Sequence, residues 1–281
     1  MNDEYVHQID EQEFAAIGRF LRWMAVGVAA FTVAIVAAYL TADRWLMLVS
    51  PAAERRFAEP YVNFARQRLL EPADPTLQRY VESLISELSE QTQSEAVREV
   101  TVTVVGGDLV NAFATLGSHV FVFEGLIREV DNENALVMVL AHELAHVEHR
   151  HALRSTGRVL LLQLAIATIT GANLDPQAFD FGAELALTSH SRRQELAADE
   201  LAVRWLQQHY GHVGGATDLF RTMQEQGLDD TTVQFLSTHP YTEDRIERIE
   251  ALAREQGWSS APTQPYPQAV RVALGIDAMV D

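Results

Sequence analysis

Twenty consecutive residues, from Trp23 to Ala42 (WMAVGVAAFTVAIVAAYLTA), carry no charge, with Arg22 before them and Asp43 and Arg44 after. A run of this kind must be hidden either inside protein or in lipid. At about 1.5 Å per helical residue it spans roughly 30 Å, the thickness of a hydrocarbon core. Trp23, Tyr39 and Trp45 stand at or near its ends, where interfacial aromatics belong. The polar, acid-rich leader of residues 1–22 is long for a cleaved signal peptide, and the apolar run exceeds an ordinary signal core. The competing reading is a helix buried in a globular core. The expectation is a single transmembrane anchor at residues 23–42, with the lipid bilayer as its partner. Its orientation stays open, because Arg19 and Arg22 on one side nearly balance Arg44, Arg55 and Arg56 on the other.

The chain beyond the anchor is long enough for one domain, and its chemistry is narrowed by what is missing. The chain has 281 residues, 48% of them hydrophobic, so a sizeable core can be buried. Its net charge is −18, and all 21 basic residues are scattered arginines, which argues against nucleic acid as a partner. With no lysine there is no Schiff-base chemistry, and with no cysteine there is no disulfide, thiolate nucleophile or Cys-ligated metal.

Periodicity predicts helices over 51–70, with a break or kink near Pro60, and over 74–90, where apolar residues recur at three- and four-residue spacing. Strands are expected at Val100 to Val105 and at His119 to Phe123 (HVFVF). Helical periodicity returns from Asn132 to Leu153, capped by Asn132 or Asp131, then at Ser189 to Gln208 and Glu243 to Glu255. The apolar run from Val159 to Thr170 is too short to cross a membrane, and reads as a core helix or a membrane-surface contact. The domain is expected to fill residues 44–257. The tail at 258–281, with three prolines, reads as irregular coil.

Within the helix from Asn132 lies His142-Glu143-Leu144-Ala145-His146. Histidines at i and i+4 stack on one face of a helix, so both imidazoles can reach one ion. Glu143 is offset from that face and can instead take a proton from water activated by the metal. The competing reading is a pair of satisfied core histidines. A catalytic zinc needs three protein ligands and an open position. His149 lies seven residues beyond His142, about 10 Å along the axis, too far for the same ion. His151, nine residues beyond, turns about 180° off the ligand face of a continuous helix. Glu195 and Asp199 lie at i, i+4 in Arg192-Arg193-Gln194-Glu195-Leu196-Ala197-Ala198-Asp199. Glu195 is the candidate third ligand, and Asp199 the candidate acceptor that orients a ligating histidine. Taken alone the two would be a solvated acidic face.

Taken together, HELAH followed by His151, SRRQELAAD, and Thr238-His239-Pro240 ahead of Arg245-Ile246 resemble the HtpX- and BepA-like zinc metallopeptidases, as does the stretch from Asn111 through Ile127. These are membrane-associated gluzincins that also include the CAAX prenyl endopeptidases, and the likeness covers roughly residues 72–252. It implies an α+β, mostly helical zincin-like domain with a small sheet, and a metal-dependent endopeptidase binding one zinc per chain. It also implies His142, His146 and Glu195 as ligands and Glu143 as base. HtpX-type enzymes carry several transmembrane helices, and BepA-type proteins carry helical repeats after the protease domain.

The resemblance also brings His239 toward the metal, either as a donor to the oxyanion of the transition state or as a fourth ligand that keeps the enzyme latent. HVFVF, from His119, and Asn111 suggest substrate binding by strand addition; the alternative is an ordinary core strand. Arg192 and Arg193 either hold nearby carboxylates or are solvated. The implied role is cleavage of misfolded or misassembled polypeptides at the cell inner membrane, on the periplasmic side by analogy. The alternative is a zinc-binding, chaperone-like or latent protein of the same fold, though an intact Glu143 argues for turnover.

Overall fold

The computed structural model describes residues 11–69, 71–170, 190–226, 234–239 and 243–276. Residues 171–189 lie outside them, so the predicted start of a helix at Ser189 is not among them. Helix α1 (Glu11–Leu46) extends the apolar run at both ends. It is followed by α2 (Pro51–Leu69), which continues through Pro60, and by α3 (Pro75–Glu90). Asp74 caps α3 by accepting a hydrogen bond from the Thr76 N–H at 2.6 Å, and Pro75 fills a first-turn position whose N–H would have no partner anyway. The repeat seen in the sequence buries Leu77, Val81, Leu84, Ile85 and Leu88. A single turn, α4 (Glu95–Arg98), leads into the sheet.

Three strands, β1 (Thr101–Val105), β2 (Ala112–Thr115) and β3 (His119–Phe123), are ordered β1-β3-β2. β1 runs parallel to β3, with Thr101 opposite His119; β2 runs antiparallel to it, with Phe113 opposite Phe121. HVFVF is therefore the central strand rather than an edge. That explains its unbroken burial, because helices cover both of its faces. Val120 and Val122 join the core with α3 and with the helix that carries HELAH. Phe121 and Phe123 face the other way and pack with Phe113, Ala58 and Val62. The Phe113 and Phe121 rings are 5.0 Å apart, and burying a side chain of this size contributes about 1.5–3 kcal/mol. The turn from β2 to β3 needs Gly117, whose φ of 77° is left-handed and whose missing Cβ would lie 2.8 Å from Ala58.

After α5 (Glu124–Glu129), α6 (Glu133–Glu148) is capped by Asn132, which accepts from the Ala135 N–H at 2.9 Å. The predicted helix through Leu153 does not run unbroken. His149 closes α6, Arg150 adopts φ 52°, and α7 (His151–Thr170) starts in a new direction. A left-handed arginine costs about 1–2 kcal/mol. Here it is held by a partly buried ion pair with Glu54 of α2 and by donation from Nη1 to the Val49 carbonyl at 2.6 Å.

The remaining helices are α8 (Arg192–Tyr210), α9 (Asp218–Glu225), α10 (Gln234–Thr238), α11 (Glu243–Gln256) and α12 (Gln268–Ala273). Ser191 and Gln194 cap α8 reciprocally, and Gly211 ends it at φ 76°. α8 packs along α6 with Ala198 and Ala202 fully buried, small residues that let the two backbones approach. The tail is not wholly irregular. Tyr266 is buried and donates its hydroxyl proton to the Ile127 carbonyl at 2.9 Å, while Val270 and Leu274 of the α12 region enter the core. Prolines begin that helix instead of preventing it, with Pro267 just before its first turn.

Candidate metal centre

α6 carries His142, Glu143 and His146 through the middle of the core, and each is at most 3% exposed. α8 crosses it and delivers Glu195 (1% exposed) and Asp199 to the same spot. His239 follows α10, whose position is fixed by two backbone hydrogen bonds, Phe235 N–H to the Val110 carbonyl and His190 N–H to the Thr238 carbonyl. The Phe235 ring stacks on His239 with centroids 4.7 Å apart.

The inner atoms of this group form a tight cage. His142 Nε2 lies 3.0 Å from His146 Nε2, 3.2 Å from His239 Nδ1 and 3.3 Å from Glu195 Oε2. Glu195 lies 3.4 Å from His146 Nε2 and 3.3 Å from His239 Nδ1. Ligands at about 2.0–2.1 Å around a tetrahedral zinc are separated by about 3.3 Å, so the donor spacing fits that ion. Charge points the same way: three carboxyl groups, on Glu143, Glu195 and Asp199, converge with one guanidinium, from Arg245, in a space where a divalent cation would balance them.

The two α6 histidines each have a neighbour at the outer nitrogen as well. His142 Nδ1 is 2.9 Å from Asp199 Oδ1, the place expected of a carboxylate that orients an imidazole. His146 Nδ1 is 2.8 Å from His151 Nδ1. Behind them Arg245, 1% exposed, donates from Nε and Nη2 to Asp199 at 2.7 Å each, from Nη1 to Glu195 at 2.9 Å, and to the His239 carbonyl at 3.3 Å. Glu143 Oε2 accepts the Ala114 N–H of β2 at 2.7 Å, and its Oε1 stands 3.3 Å from His239 Nε2. Glu143 is thus held by β2 on one side and stands beside His239 on the other.

The electrostatics follow from this crowding. Burial opposes a charge on His142, but Glu195 and Asp199 outweigh it and hold its pKa up at about 9. Burial drives His146 well below the usual histidine range, and charge on His142 and His239 adds to the effect. Burial would raise Glu195 and Asp199, yet both are held low, Glu195 by His239 and His142 and Asp199 by Arg245.

The structure brings together His142, Glu143, His146, Glu195, Asp199 and His239, six of the eight residues singled out in the sequence. Asn111 lies at the start of β2, buried, with Oδ1 lacking a hydrogen-bond partner. His119 points to the sheet face away from α6 and contacts Thr103 Oγ1 at 3.1 Å, so it takes no part in the centre. Arg192 pairs with Asp244 outside the cage. Three residues of the centre were not among the eight. Arg245 appeared only as part of a motif. His190 precedes the α8 cap and stacks on His146 at 3.8 Å. His151 would lie off the ligand face of a continuous helix, but the helix breaks at Arg150 and His151 joins His146 and His190 in a second cluster with metal-binding spacing. Burial pushes His151 down to about 3 and His190 lower still.

A buried His-Glu cage on two crossing helices, with a further glutamate beside it, defines a metallopeptidase centre. Residues 75–253 match the model of peptidase family M48, and the chain belongs to that family of zinc metallopeptidases. It is 33% identical over 147 residues to the mitochondrial metalloendopeptidase OMA1 of Schizosaccharomyces pombe, covering 50% of this chain and 42% of the relative. It is 26% identical over 218 residues to the beta-barrel assembly-enhancing protease of Escherichia coli, covering 70% and 43%. Over 228 residues it is 28% identical to a protease HtpX homolog of Pyrococcus furiosus, covering 65% and 75%. The chain thus spans less than half the length of the first two.

Proposed function

We propose that this chain is a membrane-anchored zinc endopeptidase that cuts misfolded or misassembled polypeptides, with His142, His146 and Glu195 holding one zinc per chain. The observation that carries this reading is the cage of donor atoms at 3.0–3.4 Å with the Glu143 carboxylate against it. Zinc bound there would supply Lewis acidity to a carbonyl and to water. Glu143, held by Ala114, takes the proton of the attacking water and returns it to the leaving amine. Asp199 and Arg245 hold His142 and Glu195 in place. Substrate would lie along β2 instead of β3. Among the described residues β2 has one edge free of strand pairing, and its Ala114 N–H faces the centre. Asn111 at its start offers an unpaired acceptor to a backbone N–H.

His239 acts in this reading as the latch of the two roles the sequence left open. Its Nδ1 already completes the cage, and with Glu143 and His239 both 0% exposed no substrate reaches the base in this arrangement. The arrangement is that of a resting, latent enzyme, and moving α10 opens the fourth position. The domain is anchored through residues 23–42 and faces the periplasm from the inner membrane, the location that the resemblance implies.

The test is metal content and cleavage of an unfolded protein by the full chain in detergent, beside Glu143→Gln and His239→Ala. About one zinc per chain is expected. Glu143→Gln should keep the metal and lose turnover by about 10²–10⁴-fold. His239→Ala should cleave faster than the parent. Slower cleavage there would assign His239 to the oxyanion instead, and folded protein without zinc would sink the whole reading.

A further inference from the structure

α7 begins at the metal centre and ends against the anchor. Its N-terminal half is charged, with Arg154 and Arg158, whereas Val159 to Thr170 carries no charge. The two helices run antiparallel. Gly157 sits against Leu46, where an added Cβ would come within 2.5 Å of that side chain. Arg158 then pairs with Asp43 at 2.7 Å, and Leu161, Ala165 and Thr168 face Ala38, Ala34 and Phe31 across an apolar groove of about 620 Å³. Where the two helices approach, the buried residues are small, Ala42 on α1 and Gly157 and Ala165 on α7, whereas Ala34 and Ala38 stay exposed along the groove.

Both helices therefore change from charged to apolar at the same level, marked by the Asp43–Arg158 pair. Past that level α1 is the run that reads as an anchor. α7 accompanies it for twelve residues, about 18 Å of a hydrocarbon core roughly 30 Å thick. Among the described residues this stretch of α7 carries exposed apolar side chains, Leu162 at 52% and Leu164 at 51% exposure, which line the groove beside α1. Within this stretch Thr168 donates its hydroxyl proton to the Leu164 carbonyl at 2.7 Å, a local partner suited to a place without water.

We propose that the C-terminal half of α7 is embedded in the hydrocarbon of the bilayer beside α1, so that the peptidase domain is held by a two-helix limb rather than by a single tether. The occupant of the exposed face and of the groove is lipid acyl chain. The inference rests on α1 crossing a bilayer and is independent of catalysis.

The chain has no cysteine, so single cysteines can be placed in it without other changes. Nitroxide labels go on Leu164→Cys, on Leu162→Cys as an independent second position, on Val33→Cys in α1 and on Val272→Cys in α12. The full chain is reconstituted in phosphatidylcholine–phosphatidylglycerol vesicles, and collision with oxygen is measured against collision with a water-soluble nickel chelate. Both α7 positions should shift toward oxygen as Val33 does, while Val272 stays with the nickel chelate. If the α7 labels behave like Val272 while Val33 is in lipid, the inference fails and the anchor stands. Four nickel-accessible labels would overturn both. Spin–spin broadening confined to the α7 labels would put a second copy of the chain on that face, and would also overturn the inference.

Discussion

α6 and α1 are built from much the same residues, mainly Ala, Val, Leu and Met or Phe, and they meet opposite fates. Every residue from Asn134 to Val147 is buried in protein, whereas Val33 of α1 is 68% and Leu40 is 75% exposed. An apolar helix must leave water, but its composition does not say for what. The polar residues decide. His142, Glu143 and His146 can be buried only where α8, α10 and β2 supply partners. Between Trp23 and Ala42 no side chain of α1 carries a charge that needs a partner.

The sharpest way to break this comparison is to remove a partner. Arg245→Met leaves the buried carboxylates of Asp199 and Glu195 without their guanidinium, and should cost about 3–5 kcal/mol. It is read as a fall in the melting temperature of the full chain in detergent. Part of that loss should be recovered by excess zinc, which neutralises the same carboxylates. Next comes a matched truncation. Leu140→Ala in α6, where the side chain is fully buried, should cost about 2–5 kcal/mol, while Leu40→Ala in α1 should stay within about 0.5 kcal/mol. Equal costs would mean that protein covers α1 too.

The last effect is spread over a pH range and concerns His119. Burial, with Arg66 nearby, holds its folded pKa down at about 4. An unfolded His119 titrates near 6.5, so between those values the unfolded chain binds the extra proton. Its stabilising share is thus full above pH 6.5 and is lost as pH falls toward about 4, by at most about 1.4 kcal/mol per unit. His119→Gln should flatten that part of the stability–pH curve, measured by denaturant titration. An unchanged slope would mean that His119 contributes nothing to it.

Much of the centre was legible because it is written in local spacing. HELAH places two imidazoles on one helix face, and Glu195 with Asp199 lies one turn apart on another, whatever the fold around them. The rest depends on tertiary detail. No glycine or proline marks the end of α6, and Arg150 takes a left-handed conformation only because Glu54 and Val49, about a hundred residues earlier, hold it there. His151 could not be placed without that break. The order β1-β3-β2 is likewise a fact of pairing, so a run such as HVFVF reads the same at an edge and in the middle. Arg245 looks like any arginine on a charged helix until two carboxylates converge on it.

The break at Arg150 also fixes a length. From His151, in contact with His146, to Arg158, at the level where both helices lose their charges, α7 rises about 10 Å. With α7 standing in lipid, that rise sets the scale of the height of the centre above the membrane boundary, and about three residues of extended chain cover it. If the two proposals hold, such an enzyme would measure its substrates from the bilayer, reaching a strand as it leaves the membrane and passing over a tightly folded domain held higher. A test polypeptide with its own membrane anchor should be cut within the first few residues outside it, and moving the anchor along the sequence should move the cut with it.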